Sequence, residues 1–406
     1  MKTYWKKITA IMMSSAILAG CVYILSLLPD TKEEEKLSPE QSVTINNQNS
    51  KGIKTDKLPV VSSSSFTAGV WVPYMSLDLK GTDRSEETAR NRLTEIFDRI
   101  SQVGADTVFL HVRPFGDALY QSELFPASHL LSGEQGKKVN YDFLKIACEL
   151  ARERKLHIHA WINPLRISLD NIPSRLSEDN YYTQWKNDKD KSNDRYTISS
   201  GKSIIYNPAY TEVRKLITDG IREIVRNYDI DGIVIDDYFY PEDDMKCDLY
   251  EYNLYSKEAG ETYLSQKNWR KENINSLLCS MYSAVHYEKK DCVFGISPQC
   301  NTENDEKIGA DIHAWGEIAG YADYLSPQIY VSENHPTLPF QKSADQWKQI
   351  VSNKNIKLYI SLALYKEGTD ADNGTWLEKE NNIESQISYT KAIGADGYVI
   401  YSYEDL

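Results

Sequence analysis

Short apolar runs alternate with amphipathic stretches from Thr67 onward, and the rhythm holds to the last residue. Eight runs read as strands: residues 68–75 (AGVWVPYM), 107–115 (TVFLHVRPF), 156–164 (LHIHAWINP), 231–241 (DGIVIDDYFYP), 292–299 (CVFGISPQ), 322–331 (ADYLSPQIYV), 357–365 (KLYISLALY) and 396–403 (DGYVIYSY). Their centres are apolar on both faces, the pattern of a parallel sheet covered by helices. The helices are legible between them. SEETARNRLTEIFDRISQVG opens on Ser85 as an N-cap and closes on Gly104, and later connections carry YDFLKIACELARERK, YTEVRKLITDGIREIVRNY and NINSLLCSMYSAVHY. Eight strand–helix repeats in residues 66–406 predict a (β/α)8 barrel, and no GxGxxG follows the first strand to suggest an open dinucleotide-binding sheet. One feature does not fit. The chain stops at Leu406, directly after the eighth strand, so the final barrel helix is missing and something else must cover the seam between strands eight and one.

In such a barrel the working face lies where strands run into the loops that follow them. Five runs meet a proline there: Pro114, Pro164, Pro241, Pro298 and Pro327. Proline lacks the N–H that a central strand needs, so each marks the end of ladder pairing. The polar and aromatic residues around these prolines are His111, Arg113 and Asp117; His159, Trp161, Asn163 and Arg166; Asp236, Asp237, Tyr238 and Tyr240; Ser297 and Gln299; Gln328 and Tyr330. Carboxylates, arginines, amides and aromatics gathered in one cup suit a sugar: rings stack on pyranose faces while amides and charges bind hydroxyls.

The segments before residue 66 are of another kind. Lys2, Lys6 and Lys7 precede an uncharged run from Ile8 to Leu28, so residues 1–29 read as an export or anchoring segment. Two forms fit. LAGC, residues 18–21, matches a lipoprotein cleavage site with Cys21 as the lipidated residue. Yet the apolar run continues to 21 residues, about 31 Å as a helix at ~1.5 Å per residue, enough for a single transmembrane span. Both place the remainder outside the cytoplasmic membrane while tethered to it. Residues 30–65 are polar, poor in aromatics and end in a serine run, which predicts a disordered linker.

A net charge of −13 without a basic cluster beyond the first few residues argues against nucleic acid as a partner. Five cysteines follow Cys21, and they show no CxxC or Cys/His spacing of a metal cluster. His157 and His159 form an HxH pair, but only His111 offers a further histidine at a strand end, so neither a metal nor any other cofactor is expected.

Asp236 and Asp237 carry the strongest chemical signal. Two carboxylates held together push their proton affinities apart, so that one stays protonated as an acid while the other is ionised. Adjacent residues on a regular strand point to opposite faces, so both reach one pocket only if the backbone bends at the strand's end. Adjacent side chains are also too close to bracket a glycosidic bond as acid and nucleophile at ~5 Å or more. They fit a substrate-assisted reaction, in which the sugar's own 2-acetamido oxygen attacks the anomeric carbon. On that reading Asp236 steadies the acetamide and Asp237 protonates the leaving oxygen, with the reverse assignment open.

The segments VFLHVRPFGDALYQSELFP, LSGEQGK, YDFLKIACELARERKLHIHAWINPLR, IDGIVIDDYFYP, WRKENIN, GISP and YLSPQIY, with GVWV before them, resemble the glycosyl-hydrolase-like family 10 group of bacterial extracytoplasmic proteins. The resemblance spans roughly residues 67–403 and implies a (β/α)8 barrel that hydrolyses glycan, with peptidoglycan strands stripped of their stem peptides as the substrate class. Two departures are Ala68, where an arginine is usual before GVW, and QCNTEND after GISP. Within that expectation Arg113 and Arg166 pair with the aspartates or receive a sugar carboxylate, and Trp161, Tyr238 and Tyr330 stack on sugar or pack the rim. The rival expectations are a non-catalytic glycan-binding barrel and a metal-dependent deacetylase.

Overall fold

The computed structural model describes residues 66–241 and 244–406. Its strands, in chain order, are β1 (Thr67–Val72), β2 (Thr107–Arg113), β3 (His157–Ile162), β4 (Arg166–Ser168), β5 (Thr197–Ser200), β6 (Ser203–Tyr206), β7 (Gly232–Ile235), β8 (Val293–Ile296), β9 (Tyr324–Leu325), β10 (Lys357–Ala363) and β11 (Gly397–Tyr401). Eight of them close a parallel barrel in the order β1-β2-β3-β7-β8-β9-β10-β11, with β11 paired back onto β1. This is the predicted (β/α)8 architecture. Pro114, Pro164, Pro298 and Pro327 lie one or two residues past the ends of their strands, where no ladder N–H is required, and Pro241 lies six residues beyond β7.

The side-chain period of two sorts each strand into an outer and an inner face. Outward residues such as Val70, Leu110, Ile158, Ile233 and Ile235 join the main core beneath the helices. The inner face gathers Trp71, Phe109, Trp161, Val234, Tyr324, Tyr359 and Val399. Rings this large fit in a barrel only where a neighbour gives up its side chain. A Cβ on Gly69 would lie 2.5 Å from the Phe109 ring, and one on Gly232 would lie 2.9 Å from His159.

The opposite, N-terminal face is tied by a regular device. Asp106, Asp231, Asp323 and Asp396 each precede every second barrel strand, and each accepts the backbone N–H of a residue in the strand before: Ala68 (3.2 Å), Ile158 (2.8 Å), Phe294 (2.6 Å) and Leu358 (2.9 Å). The repeat fixes the stagger of neighbouring strands and leaves the other face free for chemistry.

Three findings extend or amend the sequence-based expectations. First, β4, β6 and β5 form a small antiparallel sheet inserted after β3. Its tight hairpin, in which Ser200 pairs with Ser203 around Gly201 at φ +58°, is formed by TISSGKSIIY. Second, among the described residues no α-helix follows β11, yet the outward face of the seam between β11 and β1 is buried. The outward residues Ala68, Val70, Tyr398 and Ile400 are buried, and the final turn Tyr403–Asp405 packs beside β1 with Arg99 over the Tyr403 ring at 5.6 Å. Third, His157 is exposed at the bottom of β3 with Asp231 3.5 Å away, so the HxH pair does not face one site.

Among the described residues no helix is long and apolar enough to cross a membrane, and no group of three or more His, Cys, Asp or Glu is arranged to hold a metal. The anchor at residues 1–29, its Cys21 and the linker at 30–65 lie outside the described residues.

Candidate active site

Asp236 follows the last residue of β7 and keeps the inward parity of Gly232 and Val234. It is 3 % exposed, and both of its oxygens are held: Trp161 Nε1 donates to Oδ2 at 3.1 Å and Asn163 Nδ2 to Oδ1 at 2.9 Å. Asn163 is fixed in turn, because its own Oδ1 accepts the Arg166 backbone N–H at 3.0 Å.

By parity Asp237 should face away from the barrel. The backbone turns there instead, with Phe239 N–H bonded to Asp237 O at 3.1 Å in a three-residue turn. That turn carries the Asp237 side chain over the mouth, where its Oδ1 accepts from Gln328 Nε2 at 2.9 Å and where Gln299 is a second donor. The bend that adjacent carboxylates require is therefore present. Asp237 is partly exposed while Asp236 lies deeper.

Burial pushes both carboxyls above the ordinary carboxylate range, and the Arg166 guanidinium opposes the rise in each. Arg166 is 5 % exposed, and its guanidinium lies over the Tyr238 ring at 3.8 Å. Tyr238 is half-exposed and leaves aromatic surface open to solvent beside Asp237. Tyr330 stands on the other side within an aromatic group with Tyr401 (5.5 Å) and Tyr365 (6.4 Å), close enough to Asp237 to feel its charge. His111 stacks face to face on Trp161 with centroids 3.6 Å apart. Burial, aided by Arg166, drives its proton affinity well down, so it is a neutral ring beneath the mouth.

Five residues expected in the cup have other placements. Arg113 is turned out of the barrel by a bulge, since His111 pairs with Trp161 but Arg113 pairs with the outward-facing Ile162. Its guanidinium sits over Phe125 at 4.3 Å, away from the aspartates. Asp117 is fully buried in the loop after β2, where Oδ2 meets His129 Nδ1 at 3.0 Å and accepts from Gln135 Nε2 at 3.1 Å. His159 lies one layer below Trp161, bonded through Nδ1 to the Tyr324 hydroxyl at 2.8 Å and depressed to about 4 by burial. Ser297 donates its hydroxyl to Ser326 O at 2.8 Å, and its carbonyl accepts from Gln328, so it supports the site from beneath. Trp161, 8 % exposed with His111 stacked on one face, lies beneath the mouth, where its N–H holds Asp236.

A third carboxyl, which no motif marks, lies behind the pair. Asp305, in the short helix Thr302–Lys307, is fully buried and accepts the Gln299 backbone N–H on Oδ1 at 3.0 Å. Gln299 thus bridges Asp305 to Asp237. Burial, with a contribution from the Asp237 charge, pushes Asp305 up to about 8. Its folded form therefore binds a proton more tightly than the unfolded chain, so stability falls as pH rises from the ordinary carboxylate range to about 8. Asp305→Asn keeps the acceptor for Gln299 and removes the titration. At pH 8.5 the variant should melt roughly 2–4 °C above the parent for each kcal/mol of relieved penalty, with a smaller difference at pH 5 and little below the ordinary carboxylate range. Parallel Tm-versus-pH curves for the two proteins would rule this out.

The comparisons agree with this architecture. Glycosyl hydrolase YngK of Bacillus subtilis is 29 % identical over 345 residues, covering 80 % of this chain, and the chain spans 65 % of YngK's own length. Glycosyl hydrolase DigH of Escherichia coli K12 is 28 % identical over 380 residues, covering 87 % of this chain and 83 % of DigH. Among solved structures, the glycoside hydrolase domain of PgaB from Bordetella bronchiseptica superposes with a TM-score of 0.54 at 12 % identity, over 84 % of this chain and 94 % of that domain, which supports the shared barrel fold. The sequence profile described as glycosyl hydrolase-like 10 matches residues 67–377, and the chain belongs to that family.

Proposed function

We propose that the protein is a glycoside hydrolase that cuts a glycan rich in N-acetylated amino sugars, with peptidoglycan strands lacking stem peptides as its substrate, and that it works outside the cytoplasmic membrane, tethered by its N-terminal segment. The observation that carries this reading is the convergence of Asp236 and Asp237 on one mouth, the first held by an indole and an amide, the second held by amides at the opening. Burial raises Asp236 to about 7, and the two N–H donors with the nearby Arg166 oppose that rise, which suits Asp236 to share the pair's one negative charge and orient the acetamide N–H as the acetamide oxygen attacks C1. Asp237, nearer solvent, gives its proton to the departing glycosidic oxygen and later takes one from the water that opens the cyclic intermediate. The family and the names of YngK and DigH support hydrolysis in general terms.

Purified protein incubated with intact and with denuded peptidoglycan should release shortened glycan chains from the denuded form, identified by mass spectrometry. Retention of glycan without release of products would show a binding barrel instead, and loss of acetyl groups alone a deacetylase.

The pH profile follows from the shared burial. One proton must remain on the pair, and both groups lie above the ordinary carboxylate range, so that proton persists toward neutral pH. The profile of kcat/KM against pH should be a bell, falling on the alkaline side as the last proton leaves and on the acid side as both carboxyls become neutral. Activity that stays level from pH 5 to 9 would contradict the paired-carboxyl mechanism.

A further inference from the structure

A cleft of about 420 Å³ opens between the small sheet and the helix Leu249–Ala259. One wall holds Lys186, Lys191, Asp194, Arg195, Thr197 and Ile198, and the other holds Lys246, Tyr250 and Glu251. Four cations face two carboxylates there, in a chain whose net charge is −13.

The carboxylates compensate the lysines only in part, through a long Lys191–Asp194 ion pair. Glu251, 8 % exposed, is taken up by the Tyr210 hydroxyl at 3.0 Å and by Arg195 at 3.6 Å. Arg195 is further fixed over the Tyr250 ring at 3.5 Å, which joins the two walls. Lys186 and Lys191 rest their ammonium groups on backbone carbonyls, Lys186 on Asp194 O at 2.5 Å and Lys191 on Asp188 O at 3.0 Å, while Asp194 Oδ2 stands off at 3.9 Å from Lys191. Lys186, Lys191 and Lys246 are exposed, and among the described residues none has a carboxylate within hydrogen-bonding distance of its ammonium group. Half-exposed Tyr250 adds a flat apolar surface beside them.

The cleft is also connected to the aspartates. Its walls belong to the connections after β3 and β7, the two strands that carry Trp161 and Asp236. Arg166 on β4 pairs with Ile205 on β6, which pairs with Ile198 on β5 in the cleft wall. Two strand spacings, about 10 Å, therefore separate Arg166 beneath Tyr238 from the cleft. A short oligosaccharide spans that distance.

We propose that this cleft is a distal subsite for a carboxylate-bearing sugar, holding the anionic substituent of a glycan whose scissile bond lies at Asp236 and Asp237. The inference deepens the proposed function and rests on it for the identity of the ligand. It assigns charge selectivity to Lys186, Lys191 and Lys246, a role for which Arg113 has the wrong direction.

The test uses an Asp237→Asn background to prevent turnover and two probes of equal length: an amino-sugar oligosaccharide bearing carboxylates, and the same oligosaccharide with its carboxylates reduced to alcohols. Calorimetry at low salt should give at least tenfold tighter binding of the charged probe, and the preference should shrink at 0.5 M salt as the charges are screened. Adding Lys186→Gln, Lys191→Gln and Lys246→Gln, all at exposed positions, should abolish the preference while leaving the Kd for the reduced probe unchanged. Equal affinity for the two probes, equal weakening of both by the triple substitution, or binding of neither would overturn the subsite. Hydrolysis by the parent protein is scored separately. Charge-selective binding without hydrolysis would leave the subsite standing and remove the hydrolase reading, and hydrolysis without charge selectivity would do the reverse.

Discussion

Asp237→Asn should lower kcat on the natural glycan by about 10²–10⁴, the range a general acid supplies, while leaving the Tm close to that of the parent. The asparagine still accepts from Gln328 through its carbonyl oxygen, so the mouth keeps its shape. What it lacks is a proton acidic enough to stabilise the leaving oxygen as the bond to C1 breaks. An aryl glycoside of an N-acetylated amino sugar, whose leaving group departs without protonation, should therefore lose far less. Asp236→Asn should behave differently. The anion that orients the acetamide is needed whatever the leaving group, so natural and activated substrates should fall together. Asparagine at 236 also turns an N–H₂ toward either Trp161 or Asn163, both of which donate, so a measurable loss of stability should accompany it. If either variant keeps full activity, that carboxylate has no place in the mechanism. If Asp236→Asn spares the activated substrate and Asp237→Asn does not, the two roles are exchanged.

The second large effect concerns the segment that follows the aspartates. Arg270, 1 % exposed, grips the fully buried Asp248 with Nε to Oδ2 and Nη2 to Oδ1, both at 2.7 Å. The same Nη2 donates to Asp244 O at 2.8 Å, and the guanidinium lies over Tyr240 at 4.7 Å. This pair fastens the connection after Asp237 onto the helix Gln266–Glu288. Removing one partner leaves the other charged and buried, which costs ~3–5 kcal/mol, and each of Asp248→Ala and Arg270→Ala should lower the Tm by roughly 10 °C. Replacing both together by Leu and Met should cost less than the sum of the single changes, because no stranded charge remains. Thermal melts of the four proteins measure the coupling. Single changes costing under ~1 kcal/mol would mean that the pair does not act as a clamp. Activity should fall with the singles even at temperatures where the barrel is intact, since Tyr238 and Asp237 sit at the start of the released segment.

How much of this was legible beforehand differs from residue to residue. WRKENIN was conspicuous, yet nothing in it names Asp248, 22 residues away, as the partner of Arg270. The bulge between His111 and Arg113 reverses the direction of an arginine that strand parity places in the mouth. Asp305 is in a polar run, TENDEK, that reads as a solvated helix, and only its packing against Gln299 reveals a buried acid. The aspartate repeat at the bottom of the barrel had a visible signature in GADT, DIDG, GYAD and GADG, but its meaning depends on which strand lies beside which.

The number and order of the barrel strands and the position of the carboxylate pair are encoded locally, because hydrophobic periodicity and proline stops repeat along the chain. Tertiary structure decided what no local pattern encodes: the turn that brings Asp237 over the same mouth as Asp236, the outward swing of Arg113, and the meeting of a hairpin sheet with a distant helix to form a cationic cleft. Each depends on contacts between residues far apart in sequence, whose direction is set by register and backbone bends rather than by residue type.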